Sequence, residues 1–359
     1  MYIKNGAFAG MKLHTNIPLG LTGIQVPQVV YGTSYLGNLY RELPASSKLE
    51  LIRQWFECTE KPVVIDTAGK YGAGLALEVI GEGLAELGID PRDVRISNKL
   101  GWFRVPLMTD EPTFEPGAWA GLKHDCVQRF GYEGIMQCYS QGEELLGGRY
   151  HAELVSVHDP DEYLGAAADP GDRERRKAEI LESYRALGDL KKKGRVKAIG
   201  IGAKDWTVIR ELYEQVAFDW VMLANSYTIY RHPPELLRFM ETLKGNDVGI
   251  INSALFHGGF LTGGNNFDYV KVDPDSEQGK ELYAWRRAFE DLCMEHGVVP
   301  GDAALHFGVS HPAIASVALN TSRPETMKRN VEILRKNIPG SFWKAMKQRG
   351  LLDPDYPYV

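Results

Sequence analysis

Asp66 and Tyr71 lie five residues apart in the segment VVIDTAGKYGAG, directly after a short apolar run that is typical of a buried strand. Two similar apolar runs end at Lys99 and at His158. A carboxylate, a phenol, an ammonium group and an imidazole are therefore expected at or just beyond strand ends. A lysine ammonium beside a phenol favours the phenolate and lowers its pKa, and an aspartate keeps that lysine charged and oriented. Such a set is suited to proton transfer at a carbonyl or alcohol oxygen.

Eight short apolar runs alternate with longer segments of helical periodicity, such as residues 174–193 and 233–245. We predict strands over residues 28–33, 62–66, 94–98, 153–158, 196–201, 218–224, 247–251 and 314–319. Eight strands separated by helices predict an α/β fold of the (β/α)8 TIM barrel type, whose active sites form at the carboxyl ends of the strands. A doubly wound Rossmann sheet would need GxGxxG in its first turn, which the segment YGTSYLGN lacks.

Three segments depart from this alternation within a chain that we interpret as a single barrel domain over residues 1–359. Residues 1–27 precede the first strand and are expected to form a hairpin that caps the bottom of the barrel. Residues 101–150 are too long for one crossover and are predicted to be an insertion between strands three and four that ends in a helix. Residues 256–280 are predicted to be a long loop after strand seven, where long loops usually serve the active site.

The overall composition is that of a soluble globular protein, with 44% hydrophobic and 25% charged residues in 359. The net charge of −6 argues against nucleic acid or an anionic membrane as a partner. No signal peptide or membrane-spanning stretch is evident, and the four cysteines include no CxxC pair, so we expect reduced thiols in a cytoplasmic protein. The nine histidines form no HExxH motif, and no metal site is expected. A monomer or a small homo-oligomer is compatible with these features.

Further segments give the chain a resemblance to the aldo-keto reductases. They include GTS at 32–34, NKLG around Lys99, VSVHDPD around His158, GFLTG at 259–263 and NTSRPETMKRN at 320–330. The resemblance implies that Asp66, Tyr71, Lys99 and His158 are the catalytic residues. Tyr71 would exchange a proton with the substrate, Lys99 would stabilise the phenolate, Asp66 would fix Lys99, and His158 would orient the substrate oxygen. It also implies hydride transfer with a nicotinamide cofactor.

Within that family the chain is most similar to the branch of D-threo-aldose 1-dehydrogenases and L-fucose dehydrogenases, through LGNLYREL at 36–43 and LANSYTIY at 223–230. That similarity implies oxidation of a free sugar such as L-fucose, L-galactose or D-arabinose at C1 to its lactone. A pyridoxal dehydrogenase is also similar. Two alternatives stay open, namely an NADPH-dependent reductase of an aldehyde or keto-sugar and a barrel kept as a non-enzymatic binding subunit.

The resemblance places the dinucleotide against the loops after strands seven and eight. The candidate cofactor-binding residues are Gly32, Thr33, Asn225, Asn252, Ser253, Leu255, Gly259, Leu261, Asn320, Thr321, Ser322, Arg323 and Asn330. The Ser-Asn pair with which many members hold the carboxamide is Gly202-Ala203 here, so Asn225 and Asn252 are expected to replace it. Missing basic residues near Asn320 favour NAD, although Arg323 keeps NADP open.

Substrate contacts are expected from three side chains on loops at the same end of the barrel. Tyr35, Trp102 and His257 offer aromatic faces for the C–H groups of a sugar and polar edges for its hydroxyls. The substrate implied is therefore a small sugar rather than a macromolecule.

Overall fold

The computed structural model describes residues 12–359, and the part of the predicted N-terminal cap before residue 12 lies outside them. The strands are β1 (Ile17–Pro18), β2 (Gln25–Val26), β3 (Val29–Gly32), β4 (Val63–Ala68), β5 (Val94–Leu100), β6 (Trp102–Pro106), β7 (His124–Gln128), β8 (Ala152–His158), β9 (Ala198–Ala203), β10 (Trp220–Ala224), β11 (Gly249–Ser253), β12 (Asn266–Phe267), β13 (Val270–Lys271) and β14 (Ile314–Leu319).

The helices lie mostly between these strands. They are α1 (Ala45–Cys58), α2 (Leu75–Glu86), α3 (Tyr132–Leu145), α4 (Pro160–Gly165), α5 (Pro170–Lys192), α6 (Trp206–Tyr213), α7 (Pro234–Gly245), α8 (Glu277–Glu295), α9 (Pro300–Gly308), α10 (Pro324–Ile333) and α11 (Gly340–Gln348), with short 3-10 turns at Ser34–Gly37, Pro91–Asp93 and Phe260–Thr262. Helix α5 begins before the predicted residue 174 because Asp169 accepts a hydrogen bond from the backbone N–H of Asp172 (2.8 Å) and Pro170 fits the first turn.

Eight strands close into a barrel in the order β10-β11-β14-β3-β4-β5-β8-β9, and every pair is parallel. Each of the eight predicted strands corresponds to one of them, so the predicted (β/α)8 TIM barrel is confirmed. The strands read as continuous apolar runs because both faces are covered, as in β4, where all six residues are buried.

The β1–β2 hairpin closes the amino end of the barrel, as expected for the cap. Its Leu19, Ile24 and Val26 pack in one buried cluster with barrel residues that include Trp220. The turn requires glycine at Gly20, because its φ is +54° and a Cβ there would lie 2.2 Å from a backbone oxygen of the loop before β11.

The strand register brings the carboxyl ends together on the opposite rim. Gly32 is paired with Asp66, and Ala68 with Lys99. In the same way His158 is paired with Gly202. Side chains from the ends of β4, β5 and β8 therefore meet at one rim, although they are far apart in the sequence.

The segment 101–150 forms an antiparallel hairpin of β6 and β7 followed by α3. The helix was predicted, but the hairpin was not, because the Pro-rich stretch hides the alternation of its strands. Between β6 and β7, the loop 107–123 reaches back to the rim, where the N–H of Tyr40 donates to the carbonyl of Ala118 (2.6 Å). Trp119 also forms a bridge with Leu39, so the insertion is fastened beside the barrel mouth.

Within residues 12–359, no helix combines the length and the apolar character that a bilayer crossing requires.

Candidate active site

Asp66 and Lys99 form a buried ion pair at the rim, since each side chain is only 4% exposed. The ammonium Nζ of Lys99 donates to Oδ2 of Asp66 and to the carbonyl of Thr67 (3.2 Å). The other oxygen of Asp66 accepts from the hydroxyl of Ser97 (3.0 Å). Asp66 is thus held by two neighbours on β5 and fixes the position of the Lys99 ammonium group.

Tyr71 and His158 complete the group that the sequence brings to this rim. The Lys99 ammonium lies 4.9 Å from the centre of the Tyr71 ring. The ring of His158 meets that of Tyr71 edge-on, with 5.7 Å between their centres. All four side chains line the same cavity.

The pKa of Tyr71 moves in the opposite direction to the one expected. Burial of the phenol raises its pKa well above the usual value, and the carboxylates of Asp66 and Asp159 raise it further, against smaller lowering effects of Lys70 and Lys204. Lys99 was expected to lower this pKa. Burial and the two carboxylates outweigh the positive charges near the phenol. Tyr71 is therefore a neutral proton donor at neutral pH.

His158 is also uncharged at neutral pH. Burial lowers its pKa well below the usual value and outweighs the opposite effect of Asp159, and the nearby lysines lower the pKa further. Its Nε2 lies 3.5 Å from Oδ2 of Asp159, and its Nδ1 has no hydrogen-bond partner among the residues that the structure describes. A neutral imidazole can orient a substrate oxygen without adding a charge.

The cavity that these residues line has a volume of about 530 Å³, enough for a small molecule together with part of a larger one. Besides Tyr71, His158 and Phe256, four aromatic side chains line it, namely those of Tyr35, Tyr40, Trp119 and Tyr269. Tyr35 was predicted as a substrate contact, whereas the other three were missed because they come from loops that only the fold brings to the mouth.

A second ionic group, centred on Lys70, was not foreseen. Lys70 is 3% exposed and its Nζ contacts Glu115 (2.6 Å), Glu162 (2.8 Å) and Asp159 (3.1 Å). Burial lowers the pKa of Lys70, but the three carboxylates outweigh burial and hold the pKa well above its usual value. Lys204 joins the group through Glu162. Two of these residues are sequence neighbours of predicted ones, so the adjacency of Lys70 to Tyr71 and of Asp159 to His158 was an available signal.

Two predicted substrate contacts, Trp102 and His257, do not line this cavity. The Lys70 ammonium lies over the ring of Trp102, 5.0 Å from its centre, so Trp102 makes a cation–π contact with the ionic group. His257 is fully buried, with its ring nitrogens bonded to Thr228 (2.7 Å) and Asp268 (2.6 Å). Position on a loop at the correct end of the barrel did not reveal which way either ring points.

Part of the predicted cofactor-binding set lines the cavity, namely Gly32, Thr33, Ser253, Leu255, Gly259 and Asn320. The remainder, Asn225, Asn252, Leu261, Thr321, Ser322, Arg323 and Asn330, does not. Leu261 is fully buried in the hydrophobic core, and Asn330 is half-buried within α10. In the loop after β14 only Asn320 thus lines the cavity among the predicted residues, whereas the loop after β11 lines it as far as Tyr269.

The two asparagines expected to replace the carboxamide clamp differ. Asn252 donates from Nδ2 to the carbonyls of Tyr227 and Gly308 (3.0 Å each), and only its Oδ1 has no partner within residues 12–359. Asn225 is 1% exposed, and neither its Oδ1 nor its Nδ2 has a partner in the described part of the chain. An unpartnered buried amide beside Ala224, which lines the cavity, fits a carboxamide group. Asn225, with both amide atoms unpartnered, therefore fits the expected clamp better than Asn252.

The loop between β14 and α10 has an additional basic neighbour, since Arg41 donates through Nη2 to the hydroxyl of Ser322 (2.8 Å). Thr321 accepts from the N–H of Arg323 (3.1 Å) and bonds the hydroxyl of Thr326 (2.8 Å), which shapes the turn before α10. Arg41 was missed by the sequence argument, which looked for basic residues only along the loop itself. Two guanidinium groups near this turn fit an anionic part of a nucleotide.

Comparison with known proteins gives a consistent result. The model of the aldo/keto reductase family matches residues 28–349. The chain is 27% identical over 353 residues to pyridoxal 4-dehydrogenase of Microbacterium luteolum, covering 93% of this chain and 97% of the other. It is 26% identical to D-threo-aldose 1-dehydrogenase of a Pseudomonas species, covering 92% and 96%. Among solved structures, an aldo-keto reductase from Bacillus halodurans has a similar fold, with a TM-score of 0.66, 17% identity and coverage of 95% and 97%.

Proposed function

Because the chain belongs to the aldo/keto reductase family, we propose that this NAD(P)-dependent oxidoreductase oxidises a free aldose of the L-fucose, L-galactose or D-arabinose type at C1 to its lactone. One observation carries the proposal, namely the assembly of Tyr71, Lys99, Asp66 and His158 in one cavity with aromatic and charged walls. Aromatic faces suit the C–H groups of a sugar, and the charged groups suit its hydroxyls. The similarity to D-threo-aldose 1-dehydrogenase supports the same substrate class.

The proposed roles of the four residues follow from their contacts. Tyr71 takes the proton of the C1 hydroxyl during oxidation and returns it during reduction. Lys99 stabilises the phenolate form while Asp66 holds Lys99 in place. His158, neutral and edge-on to Tyr71, orients the substrate oxygen. The rim thereby positions one oxygen between a phenol and an imidazole.

Cofactor binding is proposed to use Asn225 for the carboxamide and the loops after β11 and β14 for the phosphates. When bound, the nicotinamide ring accepts hydride from the substrate or donates hydride to it. Gly259 lines the cavity with a φ of +93°, and its lack of a side chain leaves room for a phosphate to approach the backbone there. NAD remains the favoured cofactor, and the guanidinium groups of Arg41 and Arg323 are the features that support NADP instead.

The direct test is the initial rate of nicotinamide reduction with purified protein, a panel of free aldoses, and NAD and NADP in parallel. Reduction of either nucleotide by L-fucose, L-galactose or D-arabinose is the expected result. No rate with any sugar, together with oxidation of NADPH by simple aldehydes, would contradict the aldose proposal and favour the reductase alternative.

A second candidate substrate is pyridoxal, because the chain is 27% identical to a pyridoxal 4-dehydrogenase. The Trp119 and Tyr269 rings on the cavity wall could stack on a pyridine ring. Pyridoxal therefore belongs in the same panel, and a kcat/KM for pyridoxal well above that of every aldose would select this candidate.

The raised pKa of Tyr71 predicts different pH profiles for the two directions. Reduction needs the neutral phenol, which persists below the raised pKa, so kcat/KM for reduction should be level from pH 6 to 9. Oxidation needs the phenolate, so its kcat/KM should rise with pH by up to about tenfold per unit. Rates in both directions between pH 6 and 10 test this, with Tyr35→Phe as a control for another cavity tyrosine. An oxidation rate that is level above pH 7 would contradict the assignment.

A further inference from the structure

Asp159 presents a carboxylate to the cavity immediately beside His158. Its Oδ2 lies 3.1 Å from Nζ of Lys70, 3.5 Å from Nε2 of His158 and 3.9 Å from Nζ of Lys204. The side chain is 8% exposed, and the residue lines the cavity. Among residues 12–359, all of these contacts use Oδ2, so Oδ1 keeps its capacity to accept a hydrogen bond.

The carboxylate is held in a fixed position. The backbone N–H of Asp159 donates to the carbonyl of Gly202 (2.8 Å), and its own carbonyl accepts from the N–H of Glu162 (3.1 Å) at the start of α4. Its φ of +48° is a left-handed conformation, which aspartate tolerates better than most residues, and the two backbone bonds hold it there. Lys70, itself buried, balances the negative charge. A rigid, charged acceptor is the kind of group that discriminates between ligands differing by one donor.

The distance between Asp159 and His158 indicates which substrate group the carboxylate meets. We assign the reacting oxygen to Nε2 of His158, because Nδ1 of the same ring is enclosed by the protein. Oxygens on neighbouring carbons of a sugar are about 2.8 Å apart, close to a hydrogen-bond length. A hydroxyl on the carbon next to the reacting one can therefore reach a carboxylate that itself lies 3.5 Å from the imidazole.

We propose that Asp159 accepts a hydrogen bond from the hydroxyl next to the reacting carbon and thereby selects 2-hydroxy carbonyl compounds, including aldoses, over unsubstituted ones. The inference rests on the proposed function only for the position of the reacting oxygen. It does not require that the physiological substrate be a sugar. Asp159 is a specificity-determining residue in this view, in addition to the four residues at the rim.

The test compares two aldehydes that differ by this hydroxyl, lactaldehyde and propanal, as substrates for NAD(P)H-dependent reduction. We expect the wild-type protein to favour lactaldehyde, and Asp159→Ala to reduce the kcat/KM ratio of lactaldehyde to propanal by about 10- to 100-fold, the range for a hydrogen bond to a charged acceptor. Asp159→Asn keeps the shape and one acceptor oxygen, so its ratio should fall between the two. Hydration of the aldehydes in water cancels when ratios are compared between variants.

Glu162→Gln is the matched control, because Glu162 contacts Lys70 in the same ionic group but does not line the cavity. Its lactaldehyde-to-propanal ratio should stay within about twofold of the wild-type ratio, a range below the loss of one hydrogen bond. Titration of NADPH binding for each variant verifies that the barrel is intact.

Three results would overturn the proposal. They are an unchanged ratio in both Asp159 variants, no wild-type preference for lactaldehyde, and a wild-type protein that reduces neither aldehyde. Failure of the aldose proposal can be distinguished from these results. In that case no aldose would be oxidised, while the kcat/KM ratio of lactaldehyde to propanal would still depend on Asp159.

Discussion

Replacing Tyr71 with phenylalanine should lower kcat by about 10²- to 10⁴-fold, the usual contribution of a positioned acid or base. The substitution removes only the hydroxyl, and the ring keeps its contacts with His158 and with the Lys99 ammonium. Because the proton has no other donor in the proposed mechanism, neither reduction nor oxidation should be rescued by raising the substrate concentration. Stopped-flow single-turnover rates would measure the loss in the chemical step. Fluorescence titration would separately give the dissociation constant for NAD(P)H.

The expected pattern is a large loss of rate with a cofactor affinity within about twofold of wild type, since hydroxyl removal leaves the rest of the cavity in place. Tyr40→Phe is the matched control, because Tyr40 also lines the cavity but is not one of the four residues to which the chemistry is assigned. Equal losses of rate and cofactor affinity in Tyr71→Phe would show that Tyr71 has a structural role instead.

Lys99→Met should destabilise the protein by about 3–5 kcal/mol and abolish turnover. Within residues 12–359 the substitution leaves the buried carboxylate of Asp66 with Ser97 as its one remaining side-chain partner, and an unpaired buried charge is costly. Met fills much of the space of the lysine stem, so the loss reflects the charge rather than a cavity. Urea unfolding monitored by circular dichroism, alongside the oxidation assay, tests both parts.

The double variant Asp66→Asn/Lys99→Met separates stability from chemistry. Removing both charges together should restore much of the stability lost by Lys99→Met, since no unpaired charge remains, and the coupling between two contacting sites should be on the order of 1–3 kcal/mol. Turnover should stay absent. A double variant that is as unstable as the sum of the single variants would contradict the pairing, and a double variant with restored turnover would exclude Lys99 from the chemistry.

The sequence predicted the barrel well because its signal is local. Parallel strands covered on both faces are continuous apolar runs, and VVIDTA in β4 is one that no competing pattern obscures. The meeting of Asp66, Tyr71, Lys99 and His158 also follows from this pattern, because parallel strands of a closed barrel all end at one rim. Position along the chain was sufficient for these four residues.

The direction of side chains and the packing of loops could not be predicted from these local sequence patterns. His257 lies at the correct end of β11, yet a φ of +48° and bonds to Thr228 and Asp268 turn it into the protein. Trp119 and Tyr269 reach the cavity only through long-range contacts of the loops that carry them. The pKa of Tyr71 was predicted in the wrong direction because burial, which a sequence does not report, outweighs the neighbouring ammonium group.

The β1–β2 hairpin that closes the amino end has a consequence for how this protein can change. Its Leu19 and Ile24 belong to a packed cluster at the amino end of the barrel, opposite the rim where Tyr71 and Asp159 lie. Mutations in the loops at the mouth can therefore change the substrate specificity without disturbing the packed cluster that closes the amino end of the barrel. Substitutions that stabilise this cluster would raise the free energy of unfolding. The protein could then tolerate more of the destabilising mutations that new activities require.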